Sequence, residues 1–288
     1  MKQFVAFCAA GMVAGGVFVS GQVSQIPEPR RGFGASVTPA YEGWFYNPDG
    51  SRSFLVGYYN RNGRQELDIP IGPNNRIEPG GPDMGQPTHF MPGRQWGIFV
   101  IPAPKDFKPT DSLTWTLTAN GVTTSIPFRL HPDYVMSPFS EIAVGNTPPM
   151  VGFESGGGTV QGPLTVLSAA PVRTATVNTP MPLEVLIMDD MKYTSGTNAP
   201  PSAARQPVSL TVNKFRGPGQ VTIEKPKPTI EKTADGKAAF NGKAVTMVKF
   251  SEPGEYALQV IANDYSGDGG GGFGCCWTTA QVKVAVKP

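Results

Sequence analysis

The run SLTWTLTANGVTTSIPFRL, residues 112–130, decides the fold class. Leu113, Trp115 and Leu117 alternate with Ser112, Thr114, Thr116 and Thr118, so one face is apolar and the other is wettable, as in a half-buried strand. Asn120-Gly121 between two such runs supplies the positive φ that a type I′ turn asks of both central residues. A two-residue turn there sets the register, with Ala119 opposite Val122, Trp115 opposite Ile126 and Leu113 opposite Phe128. Apolar side chains then meet across the pair. Pro127 has no N–H, so the second strand should lie at a sheet edge or end early.

The same pattern continues in both directions. Upstream, 52–60 (RSFLVGYYN) and 65–71 (QELDIPI) flank Asn62-Gly63, a second hairpin candidate, and 95–101 (QWGIFVI) is an apolar run stopped by Pro102 and Pro104. Residues 38–134 read as a first β-sandwich-like domain behind a proline-rich segment, 22–37. Residues 135–162 are poor in periodicity and rich in Gly, Pro and Ser, which suits a linker with room for one short paired segment. From 163 to 288 seven short strands are expected: 163–170, 181–188, 207–215, 220–224, 244–250, 255–263 and 279–286. In the last, Val282, Val284 and Val286 should point inward, with Gln281, Lys283 and Lys287 facing water. The fold class is therefore all-β, two antiparallel β-sandwich domains. Composition agrees: 35 glycines and 30 prolines punctuate the apolar runs, and charged residues are only 16%, too few for long solvated helices. A formal net charge of +2 argues against a phosphate-binding surface, so no nucleic-acid partner is expected.

Pro253-Gly254-Glu255-Tyr256-Ala257-Leu258-Gln259-Val260, leading into Ala262-Asn263-Asp264 and then a closing valine strand, resembles the last two strands of bacterial immunoglobulin-like (Ig-like) and PKD-type domains. The resemblance covers about the last 40 residues well and the rest of the second domain loosely. It implies an Ig-like sandwich with Tyr256 in the place of the tyrosine-corner residue. It carries architecture and no particular activity. The departure lies in two long loops, 189–206 (DDMKYTSGTNAPPSAARQ) and 264–277 (DYSGDGGGGFGCCW). In the family's topology they follow the second and sixth strands and emerge at one end of the sandwich. That would gather Asp189, Asp190, Tyr193, Asp264, Tyr265, Asp268 and Trp277, the candidate binding surface, on flexible backbone.

Several chemistries are tested at these residues. Asp264-x-x-x-Asp268 with flanking glycines, together with Asp189-Asp190, offers four carboxylates for calcium, although the alternating ligands and terminal Glu of an EF-hand are missing. No other cofactor is expected. Gly269 to Gly274 fits G-x-G-x-x-G but precedes a strand, whereas a dinucleotide site needs a helix N-terminus there. His89 and His131, with Met84, Met91 and Met136, carry the atoms of a soft copper site without a spacing that enforces one. Cys275-Cys276 are the two cysteines left once the N-terminal segment is removed. A vicinal disulfide, an intermolecular bond and free thiols are all open to them.

Residues 1–21 read as a signal peptide: Lys2 precedes the apolar run Phe4 to Val19, and Val19 and Gly21 suit the −3 and −1 positions of a cleavage site. Sixteen apolar residues fall short of the roughly 20 that a spanning helix needs, so no transmembrane span is expected in the mature chain. The protein is expected to be exported, periplasmic or extracellular, and to bind a protein or glycan at the cell envelope without catalysis. An accessory subunit of a membrane-associated complex is one alternative. A carboxylate-based hydrolase is the other. Export has a direct check: N-terminal sequencing of native protein should begin between Gln22 and Ile26, and a start at Met1 or Lys2 would refute it.

Overall fold

The computed structural model describes residues 31–141, 145–153, 158–163, 170–192, 206–234, 238–264 and 275–288. The expected signal peptide lies outside them. Among the described residues every regular element is a strand except one 3-10 turn, Pro132–Tyr134, and no helix is long and apolar enough to cross a membrane. The first half carries β1 (Val37–Tyr46), β2 (Arg52–Asn60), β3 (Leu67–Asp68), β4 (Asn75–Glu78), β5 (His89–Phe90), β6 (Gly93–Pro102), β7 (Leu113–Ala119) and β8 (Val122–Phe128). The second carries β9 (Met150–Gly152), β10 (Thr159–Gln161), β11 (Val172–Thr176), β12 (Met181–Asp189) and β13 (Val208–Arg216). It closes with β14 (Val221–Ile223), β15 (Glu231–Lys232), β16 (Phe240–Phe250), β17 (Gly254–Asp264) and β18 (Trp277–Lys287).

The β7–β8 hairpin forms in the expected register, Trp115 opposite Ile126 and Leu113 opposite Phe128, with Asn120 at φ 49° and Gly121 at φ 78°. β8 lies at the edge of the sheet β4-β7-β8, where the missing N–H of Pro127 breaks no inner ladder. Facing it is the sheet β1-β2-β6, and between them Phe54, Phe90, Phe99, Trp115 and Phe128 pack with no more than 2% exposure. Trp115 meets Phe99 edge to face, and its indole N–H donates to Asn75 Oδ1 at 3.0 Å, so the buried ring has no unpaired polar atom. The expected hairpin at Asn62-Gly63 does not form, because Asn62 is fully buried and its amide has another task. Its Oδ1 accepts the Ala35 N–H at 2.7 Å and its Nδ2 donates to Ala35 O and Asn60 Oδ1, which docks the incoming chain. β3 pairs with β5 instead of β2.

The second half is a sandwich. Sheet β10-β9-β12-β16-β14, with β15 also on β16, faces sheet β11-β18-β17-β13. All pairs are antiparallel except β11 with β18. Met150–Gly152 and Thr159–Gln161 are the short paired segment expected within 135–162, and β9 also joins β12. Six of the seven expected strands match β12, β13, β14, β16, β17 and β18; most of 163–170 lies outside the described residues. Tyr256 makes the corner that the Ig-like resemblance implies: its hydroxyl donates to Glu252 O and accepts from Gly219 N–H, both at 3.0 Å.

One face departs from expectation. Val282, Val284 and Val286 are buried as expected, but Gln281, assigned to water, is 1% exposed, and Gln259 across the strand pair is 4% exposed. The outward side of β17–β18 is covered by the first half. Gln259 donates from Nε2 to Ile98 O at 2.5 Å, and Trp277 packs on Phe45, Leu55 and Val100. The alternation of polar residues is present, yet what it faces is protein.

β13 supplies a second attachment. A bulge between Lys214 and Arg216 leaves Phe215 without a partner on β17 and turns it into the aromatic core of the first half. Its neighbours are ionic. Lys214 Nζ and His89 Nδ1 both lie 2.9 Å from Asp68 Oδ1, Arg216 grips both oxygens of Asp83, and Arg216 also donates to Gln86 O. Burial alone would raise the Asp68 carboxyl, but its bonds to His89 and Lys214 outweigh that and hold it below the usual range. The bond from Arg216 does the same for Asp83, against a smaller effect of burial.

Two outcomes follow. Trp115→Ala should cost roughly 3–5 kcal/mol in denaturant melts, and a loss under about 1 kcal/mol would show that the inner face is misassigned. For Asp68 and Asp83 the folded pKa is depressed, so their contribution is present above the unfolded value of about 3.9 and is lost as pH falls below it. Between pH 5 and pH 3 the urea midpoint of the parent should drop further than that of a Lys214→Met/Arg216→Gln double variant. Equal drops would mean that the ion pairs contribute nothing to joining the halves.

Candidate functional site

Where the halves meet, they leave a cleft of about 550 Å3. Its floor is the outward face of β13 and β17, with Ser209 opposite Asn263 and Thr211 opposite Ile261, and Asn213 one step further along β13. One wall is Pro226–Lys227, fixed by the bond from Val212 N–H to Pro226 O at 2.7 Å. The opposite wall is the start of β6, from Arg94 to Ile98.

That wall is shaped by a bulge. Val56 pairs with Phe99 while Tyr58 pairs with Gln95, so Trp96, Gly97 and Ile98 together oppose the single residue Gly57. Extra residues in one strand bend it and re-aim its side chains, and Trp96 emerges 39% exposed at the cleft. Gly97 is required at this point. Its φ is +47°, and a Cβ there would lie 2.6 Å from Trp277 Cζ2, so the close approach of β18 excludes any side chain. Trp96 is held from one side by Arg94, whose guanidinium lies 3.8 Å from the ring centre. Arg94 is itself fixed by Glu42 at 2.5 Å and by the carbonyls of Tyr58 and Gln95. Burial raises the Glu42 carboxyl, an effect that Arg94 opposes. Trp96 is thus a rigid aromatic plate beside a row of hydroxyls and amides. Sequence reading missed it, because a lone tryptophan in an apolar run looks like core. The available signal was the Gly directly after it.

The expected binding residues fall elsewhere. Tyr193, Tyr265 and Asp268 lie outside the described residues. Trp277 is not an exposed loop aromatic: it is 3% exposed, borders the cleft and donates its indole N–H to Gly97 O at 3.4 Å. β18 begins at that residue, so the loop end is core at this point. Cys275 and Cys276 are joined by a disulfide and are 2% and 0% exposed, with Cys276 Sγ 3.4 Å from Asn146 O. They present no contact surface.

Asp189 and Asp264 do come together, as the strand directions implied. Both are buried at the ends of β12 and β17. Burial pushes the Asp189 carboxyl up to about 7; the Met191 N–H opposes this, and repulsion from Asp264 and Asp190 adds to it. Asp190 is half-buried and accepts from the Thr147 N–H and hydroxyl. His89 and His131 are not gathered: the first pairs with Asp68 and the second accepts from the Asp133 N–H in the 3-10 turn.

No family model and no curated protein matches the chain. Domains 4 and 5 of the S-layer protein SbsC align with 61% of it at 7% identity and a TM-score of 0.23, and the chain spans 65% of that fragment's length. A titin fragment aligns with 87% of this chain and 99% of its own at 10% identity and a TM-score of 0.25. The sialic acid binding region of a Streptococcus sanguinis SK1 adhesin aligns with 88% of this chain and 78% of its own at 10% identity and a TM-score of 0.22. Similarities this low identify neither a family nor a shared site.

Proposed function

We propose that the protein is an exported, non-catalytic binding protein of the cell envelope or surface, and that its cleft takes an acidic saccharide chain. The observation that carries this reading is Trp96, a large aromatic face held rigid by Arg94 and exposed beside Ser209, Thr211 and Asn213. A sugar ring presents an apolar C–H face and a rim of hydroxyls, which suits an aromatic plate bordered by polar groups that accept and donate. The charge of the ligand follows from the lining. Among the described lining residues the charged ones are Arg94, already paired with Glu42, and Lys227, which is exposed and supplies the positive charge; none of them is Asp, Glu, His or Cys. A preformed cleft between interlocked halves also costs little ordering on binding.

Calorimetry with polygalacturonate as the acidic probe and dextran as the neutral one tests the reading. Polygalacturonate should bind and weaken as salt is added, because Lys227 is exposed and its contribution is screened. Trp96→Ala should lower affinity roughly tenfold or more while the melting curve stays cooperative, as the hot-spot role of an aromatic anchor requires. Equal binding of both polymers would overturn the acidic preference. Binding of neither, or binding indifferent to Trp96, would overturn the assignment of the cleft.

A further inference from the structure

At the end of the sandwich where β12 and β17 stop, two carboxylates are buried. Asp189 is 3% exposed and Asp264 is 4% exposed, close enough for each charge to act on the other. Asp189 Oδ2 accepts the Met191 N–H at 2.9 Å, while its Oδ1 is buried without a hydrogen-bond partner. Asn146, 1% exposed, donates from Nδ2 to Asp264 Oδ2 at 2.8 Å, and its own Oδ1 is likewise buried without a partner. Buried unsatisfied acceptors are expensive and native chains keep few of them. Here two occur around Asp264, one on the Asn146 amide that donates to it and one on the Asp189 carboxylate that its charge acts on. Lys192, three residues beyond Asp189, does not answer them, since its Nζ sits on Gly145 O at 3.0 Å and beside Asp190. A cavity of about 300 Å3, lined by Thr147, Gln161, Met188, Asp189, Asp190 and Ala238 among others, reaches Asp189. It has room for an ion and several waters.

We propose that Asp189, Asp264 and Asn146 hold a hard divalent cation that enters through this cavity, calcium in preference to magnesium. All three residues offer oxygen, which such cations require. Among the described residues no group of three His, Cys, Asp or Glu side chains is placed to hold a metal, so the third protein ligand is the Asn146 amide oxygen. Asp190 is occupied with Thr147 and borders the entry. A mixed set of carboxylate, amide and water oxygens suits calcium, which accepts six to eight ligands in irregular geometry, and suits magnesium poorly, because magnesium asks for a near-ideal octahedron. The cation turns the repulsion between the carboxylates into attraction and ties the ends of β12 and β17 to the segment around Asn146. That segment touches the disulfide immediately before Trp277.

The test uses the full chain, stripped with chelator and titrated with calcium or magnesium chloride, read by calorimetry and thermal melting. The expected result is one saturable calcium site, a calcium-dependent rise in Tm, and magnesium binding weaker by roughly tenfold or more. Asp189→Asn and Asp264→Asn should each lower calcium affinity by at least about tenfold. In chelator each variant should melt no lower than the parent, because a repelling charge has been removed. No saturable heat and no calcium-specific Tm shift in a cooperatively melting parent would overturn the site. Undiminished affinity in both variants would place the cation elsewhere and overturn it equally. Should a variant fail to fold, the parent titration decides.

Discussion

The contact between Trp277 and the first half sets much of the architecture. β18 begins with an indole that must be buried, and it is buried against Phe45, Leu55 and Val100, residues of strands more than 170 positions away. Covering that indole brings β6 down onto the outer face of β17–β18 until only Gly97 fits between them. A large aromatic side chain contributes several kcal/mol on full burial, enough to hold two sheets face to face and to recruit Gln259 and Thr279 as hydrogen-bond donors to β6. The two sandwich-like halves are therefore interlocked, not strung on a tether.

The cleft follows from that contact. A strand that bulges to clear Trp277 has three residues where its neighbour has one, and the surplus emerges as Trp96. The bulge that presents the aromatic plate and the glycine that admits β18 are consecutive residues, so the same local irregularity serves packing and recognition. Phe215 repeats the device on β13, where a bulge sends one side chain into the opposite core. Regular pairing is given up at Trp96–Ile98 on β6 and at Phe215 on β13, and what it gains in both places is a contact between halves.

The class and much of the register were legible in the chain because both rest on local physics. The Asn120-Gly121 turn fixed β7 against β8, and the Pro-Gly-x-Tyr turn placed Tyr256 in its corner. What could not be read was which polar faces meet protein instead of water. Gln281 alternates with inward valines as any exposed residue would, and nothing within a few positions announces that Ile98 will cover its neighbour Gln259. Asn62 misled for a related reason: an Asn-Gly pair favours a turn, but a buried amide that satisfies three partners outweighs that local preference. At the candidate site the approach of Asp189 to Asp264 was expected from the strand directions that the Ig-like resemblance implies. Trp277 was misread as loop, because glycines and cysteines precede it and its partners lie in the other half.

The two sites differ in what they ask of the fold. The cleft is a surface effect: its floor residues face outward on regular strands, so Ser209, Thr211 and Asn213 could change without disturbing the core beneath them. The carboxylate pair is a core effect, since like charges buried together raise the free energy of the native state until a proton or a cation neutralises them. Burial has already moved Asp189 toward the neutral form near pH 7. A proton would satisfy the charge yet leave Asn146 Oδ1 with nothing to accept, whereas a cation answers both oxygens at once. Since the Asn146 carbonyl lies against Cys276 and the next residue is Trp277, neutralising that pair also steadies the strand end on which the junction and its cleft are built.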